Sequence, residues 1–428
     1  MKFHLNAVLA GSLLAANASA FSFQAPSNRV NGVSLRYTRV EGVVDIGEYT
    51  QRDVYSMQEW ATNAGVQTAD GFEITSYDGQ DFYAMTQQNI PAGSPVLFVP
   101  EGMIFTATKA GQELGQYLSQ GEGELARANL QEKVPLFRLF VKVLIEYEKG
   151  QESPWYSWLN SLPRLFNTGA AMTYACFECL PPYAGWLAMS ERINFVNFQK
   201  AVQYVSCIDP NILNDKGILK WAYNVAVTRS VNRNGERLIA PMADMFNHGT
   251  ETEVEITYDN DGNCMVYASK DIPAGSPLRM SLGDPTNPTP LFATYGFLDE
   301  SSPATFCKTM HLRPEMEELG YDFKDLLFYK DTGDISMEVY DVFLYSVLAQ
   351  DPNLKQGFYQ AVMSGDEATK NQYHEQYWSY TVEAMRNHVD STLRELDQLS
   401  AQAQSKDPQT HPRVPVILQH NSYVGKHF

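Results

Sequence analysis

The sequence predicts an α+β protein in which a β-rich domain is split by a helical insert and followed by an all-helical C-terminal domain. Three observations predict it. The first is an internal echo: Ile90-Pro91-Ala92-Gly93-Ser94-Pro95 runs into Val96-Leu97-Phe98-Val99, and Ile272-Pro273-Ala274-Gly275-Ser276-Pro277 runs into Leu278-Arg279-Met280-Ser281, so each copy reads as a turn feeding a strand. The second lies between them, where Leu136, Leu139, Phe140, Val143, Leu144 and Tyr147, and then Ile218, Ala222, Tyr223 and Ala226, recur at threes and fours, the period of a helix. The third is the apolar stripe Val382, Met385, Val389, Leu393, Leu396 and Leu399, stopped by Asp407-Pro408.

Taken in order, residues 1–20 carry Lys2, an apolar run from Leu5 to Ala16 and the small-residue end Ala18-Ser19-Ala20, the layout of a secretory signal peptide. Residues 21–40 open on Phe21 and hold Arg29, Arg36 and Arg39 without an acid, which is transit-peptide composition. The main domain is expected over 41–300, with its helical insert at about 125–230, and the helical domain over 301–428. Two hairpins should flank the insert. One has Phe72-Glu73-Ile74-Thr75 before the turn Tyr77-Asp78-Gly79-Gln80; the other has Val254–Tyr258 and Met265–Ala268 around Asp259–Asn263. That second turn superficially suggests a calcium loop, but Gly262 sits fourth rather than sixth and Lys270 stands where a bidentate Glu is required. Residues His411–Phe428 hold Pro, Val and Ile in no evident helical period, and are expected to fold back as an extended tail.

Composition narrows the function. With 428 residues, 44% apolar and 19% charged, the chain suits two or three packed domains. Thirty-two basic residues against fifty acidic ones give a net charge of -18, which repels phosphate backbones and favours a basic protein partner. Five cysteines are too few and odd for a disulfide framework. Cys176 and Cys179 form a C-x-x-C pair, but no nearby Cys or His completes a zinc set. Beyond the signal-like segment, no apolar run reaches membrane-spanning length.

The sequence has no G-x-S-x-G elbow, no phosphate loop, no dinucleotide fingerprint and no H-E-x-x-H pair. It does have Pro241-Met242-Ala243-Asp244-Met245-Phe246-Asn247-His248, followed by Tyr295-Gly296-Phe297. An Asn-His pair after an apolar segment offers side chains and backbone groups able to bind an adenine or an amino-acid moiety. Tyr-Gly-Phe alone suits core packing and a bend equally well.

With Ser153-Pro154-Trp155, Leu162-Pro163, Thr228-Arg229 and Asn287 at their places in the order, the arrangement resembles the SET-domain protein methyltransferases of the Rubisco large-subunit lysine methyltransferase type. The resemblance covers roughly residues 60–428. It implies a split SET domain, a helical substrate-binding domain, and methyl transfer from S-adenosylmethionine to a protein lysine, or to a histidine, with no metal. It implies that Asn247 and His248 hold the cofactor, with Arg229 at its polar end and Asp244 supporting the turn. Tyr295, Phe297 and Leu282 would line the substrate channel, Tyr295 as the catalytic group, and Asn287 matches the family's Ser-Asn element. The Ala18-Ser19-Ala20-Phe21 junction is similar to the two-part presequences of algae with red-lineage plastids, so the plastid stroma is the expected location, with secretion as the alternative.

Two departures stand out. The family carries a Tyr thirteen residues before the Tyr of Tyr-Gly-Phe; here that position is Leu282. It also carries G-x-G in the first β half, where this chain reads Gly79-Gln80-Asp81. These changes open a second reading, a SET-fold protein-binding module without turnover; turnover would instead need the missing hydroxyl from another strand, with Tyr258 and Tyr267 as the candidates. A third reading makes the Val382–Leu399 stripe a helical docking face. Oligomeric state and target protein are not legible.

Overall fold

The computed structural model describes residues 42–283, 287–306 and 309–428; the signal-like and transit-like segments lie outside them. By internal contact the chain forms two compact units. The first runs to Leu165 and resumes over Val202–Ser281; the second comprises Phe166–Ala201 and Leu282–Phe428.

In the first unit both expected hairpins form. Phe72–Ser76 pairs with Phe82–Thr86, from Phe72 opposite Thr86 to Ser76 opposite Phe82. Its loop is fixed by Asp78, whose Oδ1 accepts from the N–H groups of Gln80 and Asp81, both at 2.8 Å. Val254–Tyr258 pairs with Cys264–Ala268. Its turn is closed by Asp259 Oδ1 accepting from Asp261 and Asn263 at 3.0 and 2.9 Å, as a hairpin requires and a calcium loop does not. A four-stranded antiparallel sheet orders Gln67–Thr68, Pro95–Val99, Cys264–Ala268 and Val254–Tyr258 side by side.

The two copies of the repeated turn bind each other. Ile90 donates to Ile272 O at 2.9 Å, and Ile272 donates to Ile90 O at 2.8 Å. Outside this pair, Asn89 Oδ1 accepts from Ala274 N at 2.8 Å and Asp271 Oδ1 from Ala92 N at 2.9 Å. Gly93 donates to Ala268 O and Gly275 to Thr86 O; each glycine takes the left-handed conformation (φ +75° and +81°) that the turn demands. The exchange is reciprocal about a local two-fold, with the two isoleucine side chains buried beside it.

The chain leaves the β structure after Phe105–Thr106 and returns at Val231–Arg233, so helices occupy 107–229. Phe105 and Ile239 pair across that gap. The helices Val134–Glu148 and Lys216–Arg229 supply the predicted faces: Leu139, Phe140, Val143, Leu144, Tyr223 and Ala226 are all buried. Each large side chain so buried stabilises by roughly 1.5–3 kcal/mol. Asp215 starts the second helix, its Oδ1 accepting from Gly217 N and Ile218 N at 2.8 and 3.0 Å. Arg229 is that helix's last residue.

The second unit removes the docking-face reading of the stripe and corrects the expectation of an extended tail. The stripe on the helix Glu367–Gln404 is core: Met385 and Val389 pack with Val339, Val342 and Phe343, and Leu396 packs with Tyr423 and Val424. No docking face follows from it. Residues Val414–His427 form a helix rather than an extended tail. Pro415 lies in the first turn, where no intrahelical N–H is missed, and Val414, Ile417, Asn421 and Val424 keep a helical spacing on the buried side.

Candidate functional site

The end of the Lys216–Arg229 helix places Arg229 against a single 3₁₀ turn, Ala243–Met245. Arg229 Nη1 donates to the Asp244 carbonyl at 2.6 Å, and the indole N–H of Trp158 donates to Asp244 Oδ2 at 3.0 Å. The turn is entered through Met242 at φ +72°, a left-handed conformation that costs a non-glycine residue on the order of 1–3 kcal/mol. It leads directly into Asn247–His248. These two residues form a short parallel pairing with Arg279–Met280, Asn247 opposite Arg279 and His248 opposite Met280. Arg279 is in turn fixed by the buried carboxylate of Glu253, Nε to Oε2 and Nη2 to Oε1 both at 3.0 Å.

The loop of the first hairpin comes to the same place. Asp81 lies in the fields of Arg52 and Arg229 and shares a hydrogen bond with the Asn247 side chain. Its carboxyl is raised above the usual range, first by the protein packed around it and then by Asp78, against the pull of Arg52, Arg229 and Asn247. The loop is not swung away, and the charge of Asp81 is balanced by two arginines rather than one.

Arg52 is the residue the sequence did not flag. It is buried, with Nε donating to Ser161 O at 2.7 Å and Nη1 to Gln80 O at 2.6 Å, and its guanidinium lies 4.7 Å from the centre of the Phe82 ring. Burial, then the charge of Arg229, brings its pKa down to about 9. A single Arg ahead of a helix cap has no spacing that distinguishes it.

Burial lowers the pKa of Arg229 and raises that of Asp244, and the attraction between them opposes both shifts. Arg229 Nε and Asp244 Oδ1 are buried and find no hydrogen-bond partner. Two desolvated guanidiniums, with Arg229 Nε left open, and one amide form a donor set that fits a carboxylate, while Asp244 Oδ1 and the other acidic groups beside it are acceptors for an attached cation. Arg229, Asp244, Asn247, His248 and Asp81 are therefore gathered in the first unit.

Tyr295, Phe297 and Leu282 belong to the second. Tyr295 ends the helix Thr289–Tyr295 and lies 6.1 Å from the Phe297 ring, centre to centre. Gly296 between them is obligatory: at φ +82° its backbone runs so close to Asn167 and Thr168 that a Cβ would meet backbone atoms at 2.6 and 2.7 Å. The helix is seated by His420, which stacks on Phe292 at 4.6 Å and bonds Thr289 Oγ1 at 3.2 Å. Asn287 is buried and its Oδ1 accepts from Thr289 N at 2.8 Å, anchoring the first turn. Leu282 is half-buried. Of the two tyrosines considered as a replacement hydroxyl, Tyr258 shares a hydrogen bond with Cys264 and carries Arg233 over its ring at 4.8 Å, and Tyr267 pairs with Glu255 in the sheet.

No protein-family model matches the chain. SET domain-containing protein 4 of Mus musculus is 20% identical over 256 residues, which is 55% of this chain and 56% of that protein. Actin-histidine N-methyltransferase of Gallus gallus is 24% identical over 275 residues, 59% of this chain and 44% of that protein. The chain thus spans about half the length of the curated relatives it matches. Among solved structures, Rubisco LSMT bound to sinefungin and monomethyllysine superposes with a TM-score of 0.58 at 14% identity, covering 88% of this chain and 90% of that one. The SET domain of LSMT bound to lysine and AdoHcy gives 0.56 at 12%, covering 88% and 89%. The fold is that of these SET-domain structures, as the sequence predicts.

Proposed function

We propose that this protein is an S-adenosylmethionine-dependent protein methyltransferase that modifies a lysine, with histidine as the alternative target, on a plastid protein. The observation that carries the reading is the convergence of Arg52, Arg229 and Asn247 on one desolvated spot beside the Asn247–His248 strand. One of the two relatives is an actin-histidine N-methyltransferase by name, the other a SET domain-containing protein, and the solved neighbours hold the methyl donor, its product or an analogue; these support the reading.

The bound donor would supply a methyl group on a sulfonium, open to in-line displacement by a neutral amine. Arg229 and Arg52 would bind its carboxylate, and the Asn247 amide and the backbone at His248 would orient the remainder. Asp244, held by Trp158 and Arg229, keeps that strand in register. Within the second unit, the neighbouring rings of Tyr295 and Phe297 offer aromatic faces of a kind suited to desolvating an amine, the role the resemblance gives them. Leu282 brings no hydroxyl, and this favours a second reading, a binding module that keeps the cofactor site without turnover.

The test is calorimetric titration of the purified chain with S-adenosylmethionine, followed by transfer of labelled methyl to stromal protein. Saturable binding is expected, weakened about tenfold or more in Asn247→Ala. Absence of heat at millimolar ligand overturns the enzyme reading; binding without transfer to any stromal protein selects the module.

A further inference from the structure

Outside that site, the helix Glu367–Gln404 carries a second chemical grouping. Asn371, His374, Glu375 and Trp378 share one helix face and line a cavity of about 450 Å³. One wall is aromatic: Trp378, 49% exposed, stacks on Tyr340 of the helix Met337–Val347 with ring centres 5.5 Å apart and 22° between planes. The exposed side chains of Glu375 and Asn371 form the rim. Beneath them is His374, 7% exposed, whose Nε2 meets Asp341 Oδ1 at 2.7 Å while Nδ1 is buried with no hydrogen-bond partner.

The chemistry of the lining selects its occupant. Asp341 is already matched by Lys370 at 3.0 Å and by the Tyr321 hydroxyl at 2.7 Å, so it serves to orient His374. At the exposed rim Glu375 is one acceptor and the Asn371 carbonyl a second, and the face of Trp378 attracts positive charge. No cationic side chain is among the four that line the cavity. An anion would meet the charge of Glu375, and an apolar group would leave that carboxylate without a counter-ion. We infer that this notch binds a lysine or arginine side chain from a basic segment of the protein partner, its charged end over Trp378 with Glu375 as counter-ion. The net charge of -18 draws such a segment in. The inference rests on the proposed function only in taking the partner to be the protein that is modified.

A nonalysine peptide titrated into the full chain at low salt is the test. Trp378→Ala should weaken binding about fivefold or more and Glu375→Gln about threefold, while Trp378→Phe should stay within about twofold. Glu395→Gln, exposed further along the same helix, should leave affinity unchanged. An undiminished Trp378→Ala, or equal losses in Glu375→Gln and Glu395→Gln, overturns the inference, because general acidity then accounts for binding. Spermine binding as tightly as the peptide makes this a polyamine site and also overturns it. Cofactor titration of each variant keeps the two proposals apart. A chain that takes the peptide through Trp378 but no S-adenosylmethionine loses the enzyme reading and keeps the notch.

Discussion

The buried indole of Trp158 donates to Oδ2 of Asp244 at 3.0 Å, tying the helical insert to the turn that delivers Asn247. Trp158→Phe keeps most of the ring volume and removes that donor, leaving a desolvated carboxylate short of a partner. We expect a loss of about 1–3 kcal/mol in denaturant unfolding together with weaker S-adenosylmethionine binding. Unchanged stability would show that Arg229 alone suffices to hold Asp244.

Asp81 faces the same two arginines that would receive the carboxylate of the methyl donor. Competition between the two anions predicts that Asp81→Asn raises S-adenosylmethionine affinity by about tenfold, read by calorimetry. A fall in affinity would assign Asp81 to the cation of the ligand instead.

Leu282→Tyr should restore a hydroxyl where the resemblance expects one. An increase of at least about tenfold in methyl transfer is the expected result, since a positioned polar group of this kind commands that much or more. No increase would show that Leu282 does not limit turnover.

In the second unit, Asp341 gives a pH dependence. Burial by itself raises its pKa, but hydrogen bonds from His374, Tyr321 and Lys370 together hold it below the usual carboxylate range. Because the folded value is the lower one, its stabilisation is complete above about pH 4 and disappears as pH falls through the folded value. Asp341→Asn strands Lys370 and should cost about 3–5 kcal/mol at neutral pH. It should also flatten the acid limb of the stability profile measured from about pH 7 to about pH 3. Glu146, likewise held low by Lys142, Lys149 and Ser153 once their bonds outweigh its burial, leaves a residual slope.

Much of this was legible because it depends on short-range pattern. The hairpins, the faces of the Val134–Glu148 and Lys216–Arg229 helices and the stripe from Val382 all follow from periodicity and turn chemistry. Asn247 and His248 are visible as a polar pair after an apolar segment, whereas Arg229 and Asp244 are legible only through the family resemblance. Arg52 was silent: what gives it meaning is burial against Gln80 and Ser161, contacts far away in the chain. The last helix is hard to see in the sequence because its buried positions Val414, Ile417, Asn421 and Val424 include a polar residue, which breaks up the apolar period, and because a first-turn proline serves a helix as well as an extended chain. The repeated turn was visible as a repeat, but nothing in one strand of text says that the copies grip each other.

That grip sets an order of events on the ribosome. Asn89 and Ala274 are 185 positions apart, and Ala92 and Asp271 are 179 apart, so the nascent first copy has no counterpart until almost the entire first unit has been synthesised. Closing so long a loop is slow compared with winding the helices between. The helices should therefore be present, and waiting, when the second copy emerges to lock the sheet, and a chain truncated before Ile272 should remain open however well its helices form.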